Sequence, residues 1–225
     1  MINTGWQLYR AHFAVILGLV LAIELPCQLL LAYLGYHVFP KEDVAYTVYN
    51  LQAAFILQAI FGIVVTGGIL HALFVDRMER RAGFPECLST GVTHWFQLFW
   101  TNLLFMGLIF LGTLMFVVPG IVVAIRLSLA RTVVITEGKW GFEALKRSVE
   151  LTASRSLKVV NLGLSLLLPL YAAGLGARML LTNPTLDHWL VAAVLATLIQ
   201  LAACFITVCF FALYETFANE EAAEV

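Results

Sequence analysis

The chain is organised as a series of long apolar stretches separated by short polar segments. A helix needs about 20 mainly apolar residues to cross the roughly 30 Å hydrocarbon core of a bilayer, and most of these stretches reach that length. Backbone groups inside a bilayer have no water to bond with, so such stretches form helices. The pattern predicts an all-α polytopic integral membrane bundle with about six transmembrane helices. The predicted spans cover residues 13–36, 51–75, 96–118, 121–136, 159–181 and 189–214.

The fourth of these spans is shorter than the others and contains two arginines, Arg126 and Arg131. The apolar stretch before it is interrupted by Pro119-Gly120, a pair that ends helices and favours turns. Because the chain stays apolar after this pair, the pattern indicates a tight hairpin whose second arm returns across the bilayer.

The distribution of Lys and Arg supports six spans and predicts their orientation. One side of the predicted bundle holds nine of the 13 basic residues, the other side holds Lys41 and Arg178, and the remaining two lie in the fourth span. Cytoplasmic loops are enriched in Lys and Arg, so both termini are expected in the cytoplasm, with 215–225 as a short acidic cytoplasmic tail. The nine residues are Arg10, Arg77, Arg80, Arg81, Lys139, Lys146, Arg147, Arg155 and Lys158.

The polar segment 139–156 has an amphipathic helical pattern, with one apolar stripe and one charged face. Weaker versions of this pattern occur at 4–13 and 84–96. The pattern predicts interfacial helices, and the helix in 139–156 is expected to lie on the inner leaflet and contact anionic lipid headgroups. Its apolar stripe comprises Phe142, Leu145, Val149 and Ala153, and the basic residues assigned to this surface are Lys139, Lys146, Arg147, Arg155 and Lys158.

Composition argues against several other classes of protein. Hydrophobic residues make up 61% of the chain and charged residues 12%, and the mean hydropathy is +0.92, whereas ordinary soluble domains carry about a quarter charged residues. The formal net charge is -1 and no basic stripe is present, so no nucleic-acid partner is expected. The first span is too long for the core of a cleavable signal peptide and is expected to stay attached.

The sequence offers no pattern typical of a catalytic or cofactor site. The four cysteines form no Cys-x-x-Cys element and the histidines show no metal-binding spacing, so no disulfide framework, metal or other cofactor is expected. There is no Gly-x-Ser-x-Gly element and no phosphate-binding glycine loop. We therefore expect a protein that is not an enzyme.

A resemblance to a known family is carried by residues 119–152, PGIVVAIRLSLARTVVITEGKWGFEALKRSVELT. Pro119-Gly120, Arg126, Glu137-Gly138 and the following EALKRS and LT elements resemble the membrane domain associated with bacterial glycerophosphodiester phosphodiesterases and YciC-like inner-membrane proteins. The resemblance covers about a sixth of the chain, and Arg131 stands where that family has a small residue or proline. It implies a multi-spanning helical domain of the bacterial inner membrane. It does not imply phosphodiesterase activity, which belongs to a separate soluble barrel.

Three ionisable residues inside predicted spans are candidates for binding a lipid or an ion: Glu24, Arg126 and Arg131. Intramembrane charges are costly and often functional. Glu24 and Arg126 lie at similar predicted depths, so they are expected to pair, either as a structural staple or as part of an ion relay or a lipid-phosphate site. For Arg131 the alternatives are a side chain that extends to the inner interface and an anionic-headgroup contact.

Small residues on the fifth span, including Gly174 and Gly176, allow close approach of another helix, either within the bundle or across a homo-oligomer seam. The resulting hypothesis is a non-enzymatic inner-membrane protein that supports envelope or lipid homeostasis, with membrane lipids as partners. The alternative is a carrier or scramblase for a lipid or small amphiphile that uses Glu24 and Arg126. An intramembrane enzyme is a third, weaker class.

Overall fold

The computed structural model describes residues 2–37, 52–54, 56–153, 155–183 and 188–224. These residues are helical with short connections and include no strand. Six helical segments are long and apolar enough to cross a membrane, as predicted. Lys41 lies outside the described residues. The helices are α1 (Ile2–Ala11), α2 (Phe13–His37), α3 (Gln52–Asp76), α4 (Phe84–Thr93), α5 (Trp95–Met115), α6 (Val117–Arg126), α7 (Ala130–Thr136), α8 (Phe142–Thr152), α9 (Ser156–Leu180) and α10 (Trp189–Glu224).

The hairpin between α5 and α6 turns at Phe116, whose backbone is extended, three residues before the predicted break. Pro119 instead occupies the first turn of α6, where its missing N–H has no helical acceptor to lose. Gly120 lies directly against Thr113 of α5, and a β-carbon at Gly120 would lie 3.0 Å from the Thr113 backbone nitrogen. The glycine therefore allows the two antiparallel arms to approach closely.

The fourth span is built from two helices, α6 and α7, with a break between Arg126 and Ala130. Helix α8 satisfies the backbone groups at this break. The Ser148 hydroxyl donates to the Arg126 carbonyl at 2.8 Å and accepts from the Leu129 N–H at 3.2 Å, and the Thr152 hydroxyl donates to the same carbonyl at 3.0 Å. Backbone groups left unpaired in an apolar environment would be costly, so α8 is needed to complete the span.

Helix α8 also packs part of its surface against the bundle, and its expected contact with the inner leaflet stays a prediction. Ala144, Ser148, Leu151 and Thr152 are buried against the rest of the bundle. Leu145 also packs into the protein, beside α6 and α7, whereas Phe142 remains exposed. Of the other two stripe residues, Val149 is half-buried and Ala153 is exposed, so the stripe seen in the sequence packs on the protein only in part.

Helix α10 lies at the centre of the bundle and continues to Glu224. The residues expected to form an acidic tail are thus its last helical turns. Phe211, Leu213 and Phe217 are almost fully buried among neighbouring helices. Helix α1 packs along α10, where the Tyr9 hydroxyl donates to the Leu201 carbonyl at 3.0 Å. This central position lets α10 contribute residues to a membrane cavity at one level and to a charged cluster at another.

Helix α9 presents its small residues to open space. A β-carbon added at Gly174 or at Gly176 would meet nothing within 4 Å among the described residues. The expectation that these glycines allow close packing inside the bundle is therefore wrong. The alternative of a homo-oligomer seam stays a prediction.

Candidate functional site

A cavity of about 640 Å³ opens between α2, α3, α7, α9 and α10. Its walls are largely apolar, but polar side chains from four of these helices converge on it. We call it the polar cavity, after the polar residues that line it. These are Glu24, Gln28, Gln58, Arg131, Gln200 and Thr207.

Two π-helical turns contribute residues to the wall of the polar cavity. The first, Val20–Glu24, lies just before Pro26 in α2, and the second, Gln58–Gly62, lies in α3. Pro26 cannot donate a backbone hydrogen bond to the preceding turn, which favours local widening of the helix. The two turns contact each other, which places Glu24 opposite Gln58. Such single π-turns occur frequently at functional sites.

Glu24 is only 2% exposed, and its carboxyl group faces side-chain amides. The Gln58 Nε2 atom donates to Glu24 Oε1 at 3.5 Å, and the Gln200 Nε2 atom donates to the same oxygen at 3.4 Å. Both distances are at the long end for hydrogen bonds. Glu24 forms no ion pair with any residue in the described ranges.

Arg131 reaches the polar cavity from α7. Its Nε and Nη2 atoms donate to the Asn102 side-chain oxygen at 3.1 and 2.6 Å, and its guanidinium lies 5.7 Å from the centre of the Phe105 ring. Asn102 and Phe105 are neutral, so they orient the guanidinium without neutralising it. Arg131 also lines an adjoining cavity of about 290 Å³. Its charge therefore stands where the two cavities meet.

The expected pairing of Glu24 with Arg126 is corrected by these contacts. Both arginines have exposed side chains, but Arg131 lines the polar cavity and Arg126 does not. The two residues had been matched by depth along their spans, and depth does not determine which way a side chain points around a helix. The cation that shares the cavity with Glu24 is therefore Arg131, whose side chain was expected either to extend to the inner interface or to contact an anionic headgroup.

A second concentration of charge surrounds the end of α10. We call it the tail cluster, and it joins acids of α10 and Glu137 to the basic residues that were assigned to the membrane surface. Arg147 is its centre: its Nη atoms donate to both carboxylate oxygens of Glu221 at 2.9 and 2.6 Å, and its Nε donates to Glu137 at 3.1 Å. The tail cluster comprises Glu137, Lys139, Arg147, Arg155, Lys158, Glu220 and Glu221.

The remaining cations of the tail cluster are also paired. Lys139 Nζ lies 2.7 Å from Glu137, Arg155 Nε lies 3.0 Å from Glu220, and Lys158 Nζ lies 2.9 Å from Glu220. Of the five basic residues predicted to face lipid headgroups, four thus have carboxylate partners within the protein. The fifth, Lys146, is exposed. The lipid-surface role of this group stays a prediction, and Lys146 is the member whose side chain is most available for a headgroup contact.

Ionisation of the tail cluster is shifted toward the charged forms. Burial alone would raise the pKa of Glu137, but hydrogen bonds from Lys139, Arg147 and Tyr214 lower it below its usual value. The hydrogen bond to Glu221 raises the pKa of Arg147, and the contact with Glu137 adds to this effect. Each partner stabilises the charge of the other, as expected for ion pairs that stabilise the fold.

The sequence did not identify the amides that complete the polar cavity. Gln58, Gln200 and Asn102 each interrupt an apolar stretch, and that interruption is a signal that reading for charges alone leaves out. Interhelical contacts by such side chains are a recognised feature of membrane bundles. Across the described ranges, no three His, Cys, Asp or Glu side chains are grouped so as to hold a metal ion.

A family described as "Domain of unknown function (DUF7847)" matches residues 34–221. The chain belongs to this family. The DUF7847 match includes Gln58, Arg131 and Gln200 of the polar cavity, whereas Glu24 precedes it. The chain is also similar to a UPF0259 membrane protein of Pectobacterium carotovorum subsp. carotovorum (strain PC1), with 29% identity over 103 residues.

That similarity covers 45% of this chain and 41% of the relative, so the chain matches less than half the length of that protein. No solved structure matches the chain. Membership in DUF7847 and the partial similarity to a UPF0259 protein place the chain among membrane proteins of uncharacterised families. The predicted association with glycerophosphodiester phosphodiesterases stays a prediction.

Proposed function

We propose that the protein is a non-enzymatic membrane protein that holds the polar headgroup of a lipid or small amphiphile in the polar cavity, and so supports lipid or envelope homeostasis. The observation that carries this proposal is the cavity itself. It combines a buried acid, an arginine whose partners in the described part of the chain are neutral, and three glutamines, within largely apolar helices.

The depth of these groups supports a ligand that enters from the membrane. Glu24 lies 11 residues from the start of the 25-residue α2, and Gln200 lies 11 residues from the start of α10. At 1.5 Å per residue both positions are about 16 Å from a helix end, which is near half of the roughly 30 Å hydrocarbon thickness. A lipid headgroup that reaches this depth needs polar partners, and the polar cavity supplies them.

The shape of the cavity fits the same class of ligand. Leu31, Leu57, Leu167 and Leu170 line it beside the polar residues, and Leu167 is itself an exposed side chain of α9. Ligand sites combine apolar walls with a few placed polar groups in this way. Acyl chains would continue along the leucines while the headgroup meets the polar residues.

Filling the cavity tests the proposal. Ala203 lines the polar cavity, so Ala203→Trp should exclude the headgroup and reduce the phospholipid that remains bound after a delipidating detergent wash, measured by mass spectrometry per protein. Ala172→Trp places the same ring on the exposed side of α9 and is the matched control. If both variants retain lipid at the wild-type level, the polar cavity is not a lipid site.

The carrier or scramblase alternative is favoured by the position of Glu24 and Gln200 near half depth. The same two variants, reconstituted in vesicles with a fluorescent phospholipid, separate binding from transfer. A carrier moves lipid between leaflets faster than protein-free vesicles do, and Ala203→Trp abolishes the gain while Ala172→Trp keeps it. Lipid movement at the protein-free rate in the wild-type protein removes the carrier and leaves the binding role.

We propose further that the protein lies in the bacterial inner membrane with both termini in the cytoplasm. The asymmetry of Lys and Arg supports this orientation, and it places the tail cluster on the cytoplasmic side. Reporter fusions after Lys146 should report the cytoplasm and fusions after Arg178 the opposite side. The reverse pair of signals would show that the bundle has the opposite orientation in the membrane.

A further inference from the structure

The polar cavity contains two ionisable side chains of opposite sign, and neither is neutralised by a neighbour. Glu24 faces only the amides of Gln58 and Gln200, and Arg131 faces the amide oxygen of Asn102. Within the part of the chain that the structure describes, no ion pair is formed by either residue. Both nevertheless line the same cavity, where a low local dielectric strengthens electrostatic interactions.

Each of these side chains has bonding capacity left. A guanidinium has five N–H donors, and Asn102 accepts from two of the nitrogens of Arg131, so its other donors remain for a ligand. The Glu24 contacts at 3.5 and 3.4 Å are long, and one of their donors, Gln58, has an exposed side chain that is free to move. A better donor, such as a ligand ammonium, would replace a weak amide contact with a charge-assisted hydrogen bond.

The combination of charges defines a class of ligand. An anionic ligand alone would satisfy Arg131 and leave Glu24 facing a negative group, and a cation alone would do the reverse. A ligand that carries both a phosphate and an ammonium satisfies both residues. This matters most for Glu24, because a buried charge is favourable only when it is paired. The leucine walls of the cavity then favour the lipid form of such a ligand.

We infer that the polar cavity selects a zwitterionic aminophospholipid headgroup, with the phosphate held by Arg131 and the primary ammonium held by Glu24 and its two glutamines. This inference rests on the proposed function, because it names the substrate class of the same site. It distinguishes a phosphatidylethanolamine-type headgroup from phosphatidylglycerol, which lacks the ammonium. It also distinguishes it from phosphatidylcholine, whose trimethylated nitrogen has no N–H donor.

Binding measurements on the full-length delipidated protein in detergent test the inference. Phosphatidylethanolamine, phosphatidylglycerol and phosphatidylcholine with identical acyl chains are titrated separately, and the one-to-one complexes are quantified by native mass spectrometry. The wild-type protein should bind phosphatidylethanolamine about tenfold more tightly than the other two, the size of one charge-assisted hydrogen bond. Glu24→Gln should reduce this preference to near unity, and Arg131→Gln should weaken all three lipids.

Two control variants leave the cavity intact. Glu143→Gln removes an exposed acid of α8, and Arg178→Gln removes an exposed arginine at the end of α9. Both should keep the wild-type preference, and unfolding curves of all four variants establish that they are folded. Free phosphoethanolamine as a competitor separates the lipid from a soluble source of the same headgroup chemistry.

The outcomes separate this inference from the proposed function. Equal binding of all three lipids by the wild-type protein, weakened by Arg131→Gln, would overturn the zwitterion selectivity and leave a phosphate site for lipids. No change of lipid binding in either cavity variant, relative to the two controls, would overturn both. Displacement of phosphatidylethanolamine by free phosphoethanolamine at equal affinity would keep the zwitterion selectivity and overturn the lipid as its source.

Discussion

The tail cluster and the polar cavity both bring charged residues into a largely apolar protein, but they treat those charges differently. In the tail cluster, Arg147 contacts two carboxylates, and every other cation of the cluster has a carboxylate partner. In the polar cavity, the partners that Glu24 and Arg131 have among the described residues are neutral side chains. Charges with complete partners stabilise a fold, whereas charges with incomplete partners are available to a ligand. The comparison supports the proposals that the tail cluster stabilises the fold and that the cavity binds a ligand.

Helix α10 connects these two regions. It contributes Gln200 and Thr207 to the polar cavity and, further along, Glu220 and Glu221 to the tail cluster. Because a helix transmits position along its axis, fixing the end of α10 through Arg147 also fixes the position of Gln200. One wall of the cavity and the acids of the tail cluster are thus parts of the same helix.

The largest effect is expected from Arg147→Met. This change removes the main partner of Glu221 and one partner of Glu137, which keeps Lys139, and Arg147 is only 21% exposed. The cost should fall between that of a surface ion pair and that of a broken buried pair, about 2 kcal/mol of unfolding free energy. Denaturant unfolding in detergent measures it.

Lys146→Met is the matched control for that experiment. Lys146 is the neighbouring residue on the same helix and is exposed, so its loss should change the unfolding free energy by less than about 0.5 kcal/mol. Equal losses from the two substitutions would contradict the assignment of the tail cluster to stability.

An intermediate effect is expected from acid. The pKa of Glu137 is lower in the folded protein than its ordinary value of 4.5, despite burial, because Lys139, Arg147 and Tyr214 donate to the carboxylate. Stabilisation by Glu137 is therefore fully present above the ordinary pKa and is lost as the pH falls through the lower folded-state pKa. The unfolding free energy of wild type minus that of Glu137→Gln should be about 1 kcal/mol at pH 7 and should decrease as the pH falls below 4.5.

The exposed residue Glu143 supplies the control for this titration. Glu143→Gln removes a carboxylate outside the tail cluster, so its difference from wild type should stay small at every pH. A Glu137→Gln difference that stays constant from pH 7 to pH 3 would show that the ionised form of Glu137 does not stabilise the fold.

Hydrophobic periodicity was sufficient to predict the number of spans, because the length and apolarity of a span are local properties of the chain. The interruption of the fourth span depends on contacts that are not local. Its free carbonyl at Arg126 bonds to Ser148 and Thr152, which are more than 20 residues later. The packing of Leu145 of α8 into the protein could not be predicted for the same reason, since an apolar stripe does not reveal whether it faces lipid or protein.

The candidate site was likewise predictable from the sequence only in part. Glu24 and Arg131 were identifiable because an ionisable residue in an apolar stretch is conspicuous. Which cation shares a cavity with Glu24 depends on the direction in which each side chain points around its helix, whereas a sequence pattern indicates only depth along the helix. The acceptors of the tail cluster, Glu220 and Glu221, lay in a segment that was expected to be a tail, so their pairing with Arg155 and Arg147 was not foreseen.

The smallest expected effect is the coupling between Glu24 and Arg126. In the structure, the Glu24 carboxyl group accepts hydrogen bonds from Gln58 and Gln200. The Arg126 side chain is exposed and lies outside the polar cavity. In a double-mutant cycle of Glu24→Gln and Arg126→Leu, the unfolding free energies should therefore add to within about 0.5 kcal/mol, as they do for sites that share no partner.

A second cycle shows that the measurement can detect a contact in this cavity. Glu24→Gln and Gln200→Leu remove two groups joined at 3.4 Å, so their effects should depart from additivity by more than those of the first cycle. A coupling above about 1 kcal/mol between Glu24 and Arg126 would make them partners. Glu24 would then have a cation of its own, as the acids of the tail cluster do, and the contrast between a paired structural cluster and an unpaired recognition site would no longer hold.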